Sequence, residues 1–79
     1  MSVEQGIREI IIETLSVQPE EIKMDEKLSD SLGVDSTEMV NVILSLEKKF
    51  SIHLDDKQIT KFSSLRDIII LIESKRTTA

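Results

Sequence analysis

Apolar positions along the chain recur at spacings of three and four, the mark of helices that bury one face. Val3, Ile7, Ile10, Ile11 and Leu15 make the first stripe. Ser2 precedes it with Gln5 three residues on, a capping-box spacing. Pro19 ends the pattern, because the residue before a proline is pushed from helical geometry. The first helix is predicted over 3–15. A second stripe follows Asp35: Met39, Ile43, Leu46 and Phe50, flanked by Val40 and Leu44. Asp35 can cap this helix, Glu38 stands in the box position, and Lys48 and Lys49 suit the negative end of its dipole. The second helix is predicted over 36–50. Asp55 and Gln58 suggest a short third helix over 56–61, with Ile59 and Phe62 facing inward. The last helix starts after Ser64, with Asp67 three residues on. Leu65, Ile68, Ile69 and Ile72 form its stripe, and Lys75 and Arg76 its basic end. The apolar run 68–72 also reads as a buried strand. The cap and the basic end favour helix, and a single strand would lack a partner.

Roughly 20 residues, 16–35, separate the first two helices. A structureless connection that long is uncommon and is usually functional. Val17, Ile22, Leu28, Leu32 and Val34 are spaced to pin it to the bundle. The fold class predicted is all-α, a small four-helix bundle of three main helices and one short one, with a long loop after the first. The chain has no repeat, low-complexity tract or internal linker, so residues 1–79 read as one domain. No apolar run nears the ~18 residues that span a bilayer. The start, Met-Ser-Val-Glu-Gln, has neither the basic region nor the apolar core of a signal peptide. The expectation is a cytoplasmic monomer without membrane insertion.

Charge narrows the function classes. Fifteen acids against ten Lys and Arg give a net charge of -5 over 79 residues. Phosphate-backbone binding needs clustered bases, so nucleic acid is not an expected partner. The 39% of apolar residues is too many for an acidic disordered tail. The acids crowd together: Asp25, Glu26, Asp30, Asp35 and Glu38 face only Lys27 within residues 25–38. Such a run can simply be a solvated loop. Without Cys the chain has no disulfide and no thiolate of its own. One His and no Cys make no zinc site. Aligning Gly33 to the sixth position of a calcium loop puts Leu28 first, Leu32 fifth and Met39 twelfth, and all three fail as ligands. Gly6 and Gly33 alone make no phosphate loop. Nothing in the sequence brings His53 to a nucleophile. An enzyme acting alone is not expected.

Ser36 is the residue with chemical promise. It follows the cap Asp35 in the first turn of the second helix, where free backbone N–H groups and the dipole favour an anion. Gly33 permits a tight turn before it. By itself, a Ser in a first helical turn is common and usually inert. The stretch Leu32-Gly33-Val34-Asp35-Ser36-Thr37-Glu38-Met39-Val40 resembles the prosthetic-group site of acyl carrier proteins. In that family Leu-Gly-small-Asp-Ser-Leu is followed by an acid and an apolar helix. The resemblance covers nearly the whole chain: the first helix, Phe50 ending the second, the linker Ser51-Ile52-His53-Leu54-Asp55-Asp56 and the Ile-rich last helix.

The resemblance implies a carrier. Ser36, flanked by Asp35, would bear 4'-phosphopantetheine donated by coenzyme A through a phosphopantetheinyl transferase. The thiol a Cys-free chain lacks would be imported with that group. It would hold acyl groups as thioesters and shuttle them between enzymes of fatty-acid, lipid or polyketide-type biosynthesis: acyl-transfer, condensing and reducing enzymes, or acyl ligases. The family's acyl-chain pocket would map to Val40, Ile43, Leu46, Ile59 and Phe62, which can equally be plain core. Partner contacts would map to Asp35, Thr37, Glu38, Asn41, Leu44, Glu47 and Asp56, whose acids would meet basic patches. Thr37 departs from the usual Leu. Asn41, Lys48 and Lys49 stand where acids are common, which suggests a specialised carrier with a narrower partner set. Two alternatives stay open. One is an acidic helical interaction module without a cofactor. The other is an aminoacyl or peptidyl carrier, although that class tends to show Gly-Gly-His-Ser before the modified residue.

Overall fold

A computed structural model describes residues 2–55 and 57–77. Among the described residues four α-helices form: α1 (Val3–Leu15), α2 (Leu28–Ser31), α3 (Ser36–Phe50) and α4 (Leu65–Thr77). The three long ones begin as their caps dictate. Ser2 Oγ accepts the Gln5 N–H at 3.1 Å. Asp35 Oδ1 accepts the Glu38 N–H at 2.7 Å while Glu38 Oε1 accepts the Asp35 N–H at 3.1 Å, a complete capping box. Ser64 and Asp67 make the same reciprocal pair at 3.0 and 3.2 Å. The apolar run 68–72 is therefore helix. Ser16 and Ser51, both left-handed (φ 57° and 54°), end α1 and α3.

α1 packs against α3 and α4. Ile7, Ile11, Leu28, Val42, Leu46, Ile59, Leu65, Ile68 and Ile72 are fully buried and form one core. Gly6 lets the start of α1 approach the end of α3, for a Cβ there would lie 3.0 Å from Phe50 Cζ.

The long connection is not structureless. It holds a short 3₁₀ turn, Pro19–Glu21, and then α2. Ile22, Leu28 and Val34 are buried, and Val17 and Leu32 pack partly against the core. Backbone bonds tie the connection to the chain before and within α4. The Leu28 N–H donates to the Ser63 carbonyl (2.9 Å), the Ser29 N–H to the Lys61 carbonyl (2.8 Å), and the Arg66 N–H to the Met24 carbonyl (3.0 Å). The Arg66 guanidinium also grips the Asp25 carboxylate with two N–H donors.

The short helix lies at 28–31, and the described residues 57–61 form none. Half of the expected box forms: the Asp55 N–H donates to Gln58 Oε1 (3.2 Å), but Asp55 Oδ1 accepts the Lys57 N–H (3.0 Å). The described residues beyond, 57–62, then form turns and bends. Hydroxyls intercept the backbone donors that a helix would need. The Thr60 N–H goes to Ser63 Oγ and the Phe62 N–H to Thr60 Oγ1, both at 3.1 Å. Ile59 is buried as expected, but this geometry turns Phe62 outward, 59% exposed. Asp56 lies outside the described residues.

The Arg66 hydrogen bond holds the Asp25 carboxyl below its ordinary range. A depressed carboxyl adds stability above its unfolded value, about pH 3.9, and that stability fades as pH falls through the folded value. The pair is exposed, so the effect is small. Asp25→Asn should remove this acid-side step while leaving neutral-pH unfolding close to the parent's. Urea titrations at several pH values measure it; parallel curves for the two proteins at low pH would refute the assignment.

Candidate functional site

The site is built where the connection enters α3. Gly33 adopts φ +64° with open space about its Cα, so conformation and not crowding calls for glycine there. Val34, buried, anchors the next residue, and Asp35 extends (φ -100°, ψ 176°) to cap α3. Ser36 follows as the first helical residue, exposed. Its hydroxyl makes no hydrogen bond among the described residues, and the cap of α3 is made by Asp35 and Glu38 instead.

A half-open cavity of about 320 Å³ starts at Ser36. One wall is α3, where Met39, Val40 and Ile43 follow Ser36 at helical spacing. The other is the turn segment, with Ile59, Thr60, Lys61 and Phe62. The structure thus brings four of the five predicted pocket residues, Val40, Ile43, Ile59 and Phe62, to the same cavity as Ser36. Leu46 does not line it and is fully buried in the core. Val40 is half-exposed on the outer rim. Reasoning from sequence missed Met39, Thr60 and Lys61. Met39 could have been found, since it lies one turn beyond Ser36 on the face of Ile43. Thr60 and Lys61 could not, because only the tertiary pairing of 27–29 with 61–64 brings them in.

The residues expected to meet partners fall into two groups. Asp35, Thr37, Glu38, Asn41 and Leu44 are exposed on the first turns and outer face of α3. Glu47 is largely occupied: its Oε2 accepts the Leu54 N–H at 2.8 Å and lies 3.4 Å from His53 Nδ1. It closes the turn after α3. With Val40, Leu44, His53 and Asp55 it lines a second groove, of about 480 Å³. Asp56 falls outside the described residues. Among the described residues, no helix is long and apolar enough to cross a membrane.

A family model described as the phosphopantetheine attachment site matches residues 5–72. An acyl carrier protein of Campylobacter hominis is 36% identical over 94% of this chain and 94% of its own. One of Campylobacter curvus is 37% identical over 92% of this chain and 95% of its own. One of Wolinella succinogenes is 34% identical over 96% of this chain and all of its own.

Proposed function

The chain belongs to the phosphopantetheine attachment site family of acyl carrier proteins, and from that premise we propose that Ser36 bears its 4'-phosphopantetheine arm. The single observation that carries this reading is the position of Ser36. It is exposed, its hydroxyl has no hydrogen bond among the described residues, and it opens directly onto an apolar-walled cavity. The group fits: the helix start favours an anion, and the cavity offers apolar walls to a short acyl chain. When bound, it supplies the thiol that holds acyl groups as thioesters. Everything else falls to the protein's own residues. Asp35 and Glu38 fix the start of α3 so that Ser36 faces outward, and Val40, Ile43, Ile59 and Phe62 shield apolar chains from water.

Acyl carrier proteins are in general non-catalytic. This chain works the same way, as one domain over 1–79, a cytoplasmic monomer that is substrate to its partners. Those partners are a phosphopantetheinyl transferase and the acyl-transfer, condensing, reducing or ligating enzymes of a fatty-acid, lipid or polyketide-type pathway. Incubation with coenzyme A, Mg²⁺ and a broad-specificity transferase should add one phosphopantetheine by intact mass. No gain, with a related carrier protein modified in parallel, defeats the reading.

The partner face is the start and outer side of α3: Asp35, Thr37, Glu38, Asn41 and Leu44. Half-exposed Val40 and Leu44 make its centre apolar, and Lys48 farther along interrupts its acidity. A mixed face of this kind suits a narrower set of partners than a uniformly acidic one. Glu38 is an exposed charge, so it should act mainly on encounter. Glu38→Gln should slow loading by the transferase several-fold at low salt, and the difference should shrink as salt is added. A salt-independent defect would place Glu38 in the cap alone.

A further inference from the structure

Two lysines stand at Phe62, on the wall of the cavity that Ser36 opens, with nothing assigned to do. Lys61 lines the cavity that Ser36 opens, and its ammonium lies 5.3 Å from the centroid of the Phe62 ring. Lys27 approaches the same ring at 5.9 Å. Neither ammonium forms an ion pair among the described residues, although the chain carries a net charge of -5. The backbone of both is tied down. Lys61 accepts the Ser29 N–H through its carbonyl, and Lys27 bridges to Ser64. Two cations therefore approach one exposed aromatic ring, an arrangement worth only about 0.5–1 kcal/mol per contact in water.

A phosphate diester on Ser36 would enter a neighbourhood already negative. Asp35 and Glu38 lie within two residues, with their carboxylates committed to the cap. Lys61 is the one cation that lines the cavity. A phosphate attracts an ammonium more strongly than the face of a phenyl ring does, and Lys61 and Phe62 line the same cavity as Ser36.

We propose that Lys61, with Lys27 beside it, holds the phosphate of the arm on Ser36 and leaves the Phe62 ring as it does so. This rests on Ser36 being the attachment site. Apo and holo chains would then differ at the cavity mouth. In the apo chain the lysines cover Phe62. In the holo chain they face the phosphate, and the freed ring can close over an apolar acyl group in the cavity.

The test compares the full chain in apo and holo form, each verified by intact mass. Phosphorus NMR of the holo protein reads the diester directly. Lys61→Gln should move its resonance toward that of the urea-unfolded holo chain, in which the same diester is solvated, and Lys61→Arg should hold it near the parent position. The Phe62 ring resonances should differ between apo and holo parent, and much less between apo and holo Lys61→Gln. Salt of about 1 M, where screening acts within about 3 Å, should bring parent and Lys61→Gln together. Lys27→Gln, on the exposed side, should give a smaller displacement of the same sign. Identical phosphorus and Phe62 signals in all variants, with full mass gain, would overturn the clamp and leave the attachment intact. Absence of mass gain in the parent overturns the attachment itself, and is read by mass alone.

Discussion

Ser36→Ala is expected to abolish modification completely while leaving the fold unchanged. Transfer of phosphopantetheine from coenzyme A forms a bond from a deprotonated hydroxyl oxygen to phosphorus and breaks the pyrophosphate bond, releasing adenosine 3',5'-bisphosphate, and alanine has no oxygen to give. The fold has no use for that hydroxyl. It is exposed, and the cap of α3 is made by Asp35 and Glu38. Surface substitutions away from such features stay within about ±0.5 kcal/mol. Alanine is also the better helix former, by a few tenths of a kcal/mol. The thermal midpoint should therefore hold or rise slightly. The control that separates chemistry from structure is Asp35→Ala. Losing that N-cap should cost about 1 kcal/mol and slow loading without preventing it. Intact mass and thermal melts on the three proteins decide the matter. Any mass gain in Ser36→Ala would move the attachment elsewhere. A large fall in its melting point would mean that Ser36 has a structural role. An acidic interaction module without a cofactor, the alternative that the charge pattern leaves open, predicts no mass gain in the parent either.

Much of this was legible in the chain because it is local. The bounds of α1, α3 and α4 follow from side chains that cap their own helices: Ser2, the Asp35–Glu38 pair and the Ser64–Asp67 pair. Each cap needs only the residues within one turn, so spacing alone predicts it. Ser36 was found for the same reason. What escaped depends on distant contacts. α2 is four residues with no side-chain cap, far too short to nucleate alone, and Leu28-Ser29-Asp30-Ser31 has little intrinsic preference for helix. It exists because Leu28 is buried and because the backbone at 28 and 29 is held by 63 and 61. The helix predicted over 56–61 does not form among the described residues 57–61, since Thr60 and Ser63 compete for the backbone from outside the box. Phe62 followed that error to the surface. Lys61 carries no local sign of function at all. It is 25 positions from Ser36 and reaches the cavity only through the pairing with 27–29.

Leu28→Ala tests that non-local part of the fold. Leu28 is fully buried at the point where the connection crosses between α4 and the site. Truncating a buried leucine costs about 2–5 kcal/mol, and the upper part of that range applies where the gap cannot collapse. Here two backbone bonds, from Leu28 to Ser63 and from Ser29 to Lys61, fix the position of the segment and limit its collapse. A domain of this size has only about 5–15 kcal/mol in total, so the loss should be a large fraction of its stability. Urea unfolding should show a marked fall in midpoint with the slope nearly unchanged. The partly buried Leu32, one turn on, should cost clearly less on truncation. The consequence for the site follows from the chain path. α2 is the last anchored element before Gly33 and Ser36, and through Lys61 it also sets one wall of the cavity. Leu28→Ala should therefore slow transferase loading even at temperatures where the protein remains folded, whereas an Ile10→Ala substitution in α1, which does not border the cavity, should lower stability with a smaller effect on loading. Equal loading defects at equal stability would show that α2 merely fills the core. A larger defect for Leu28→Ala would show that this short helix holds the modification site in position.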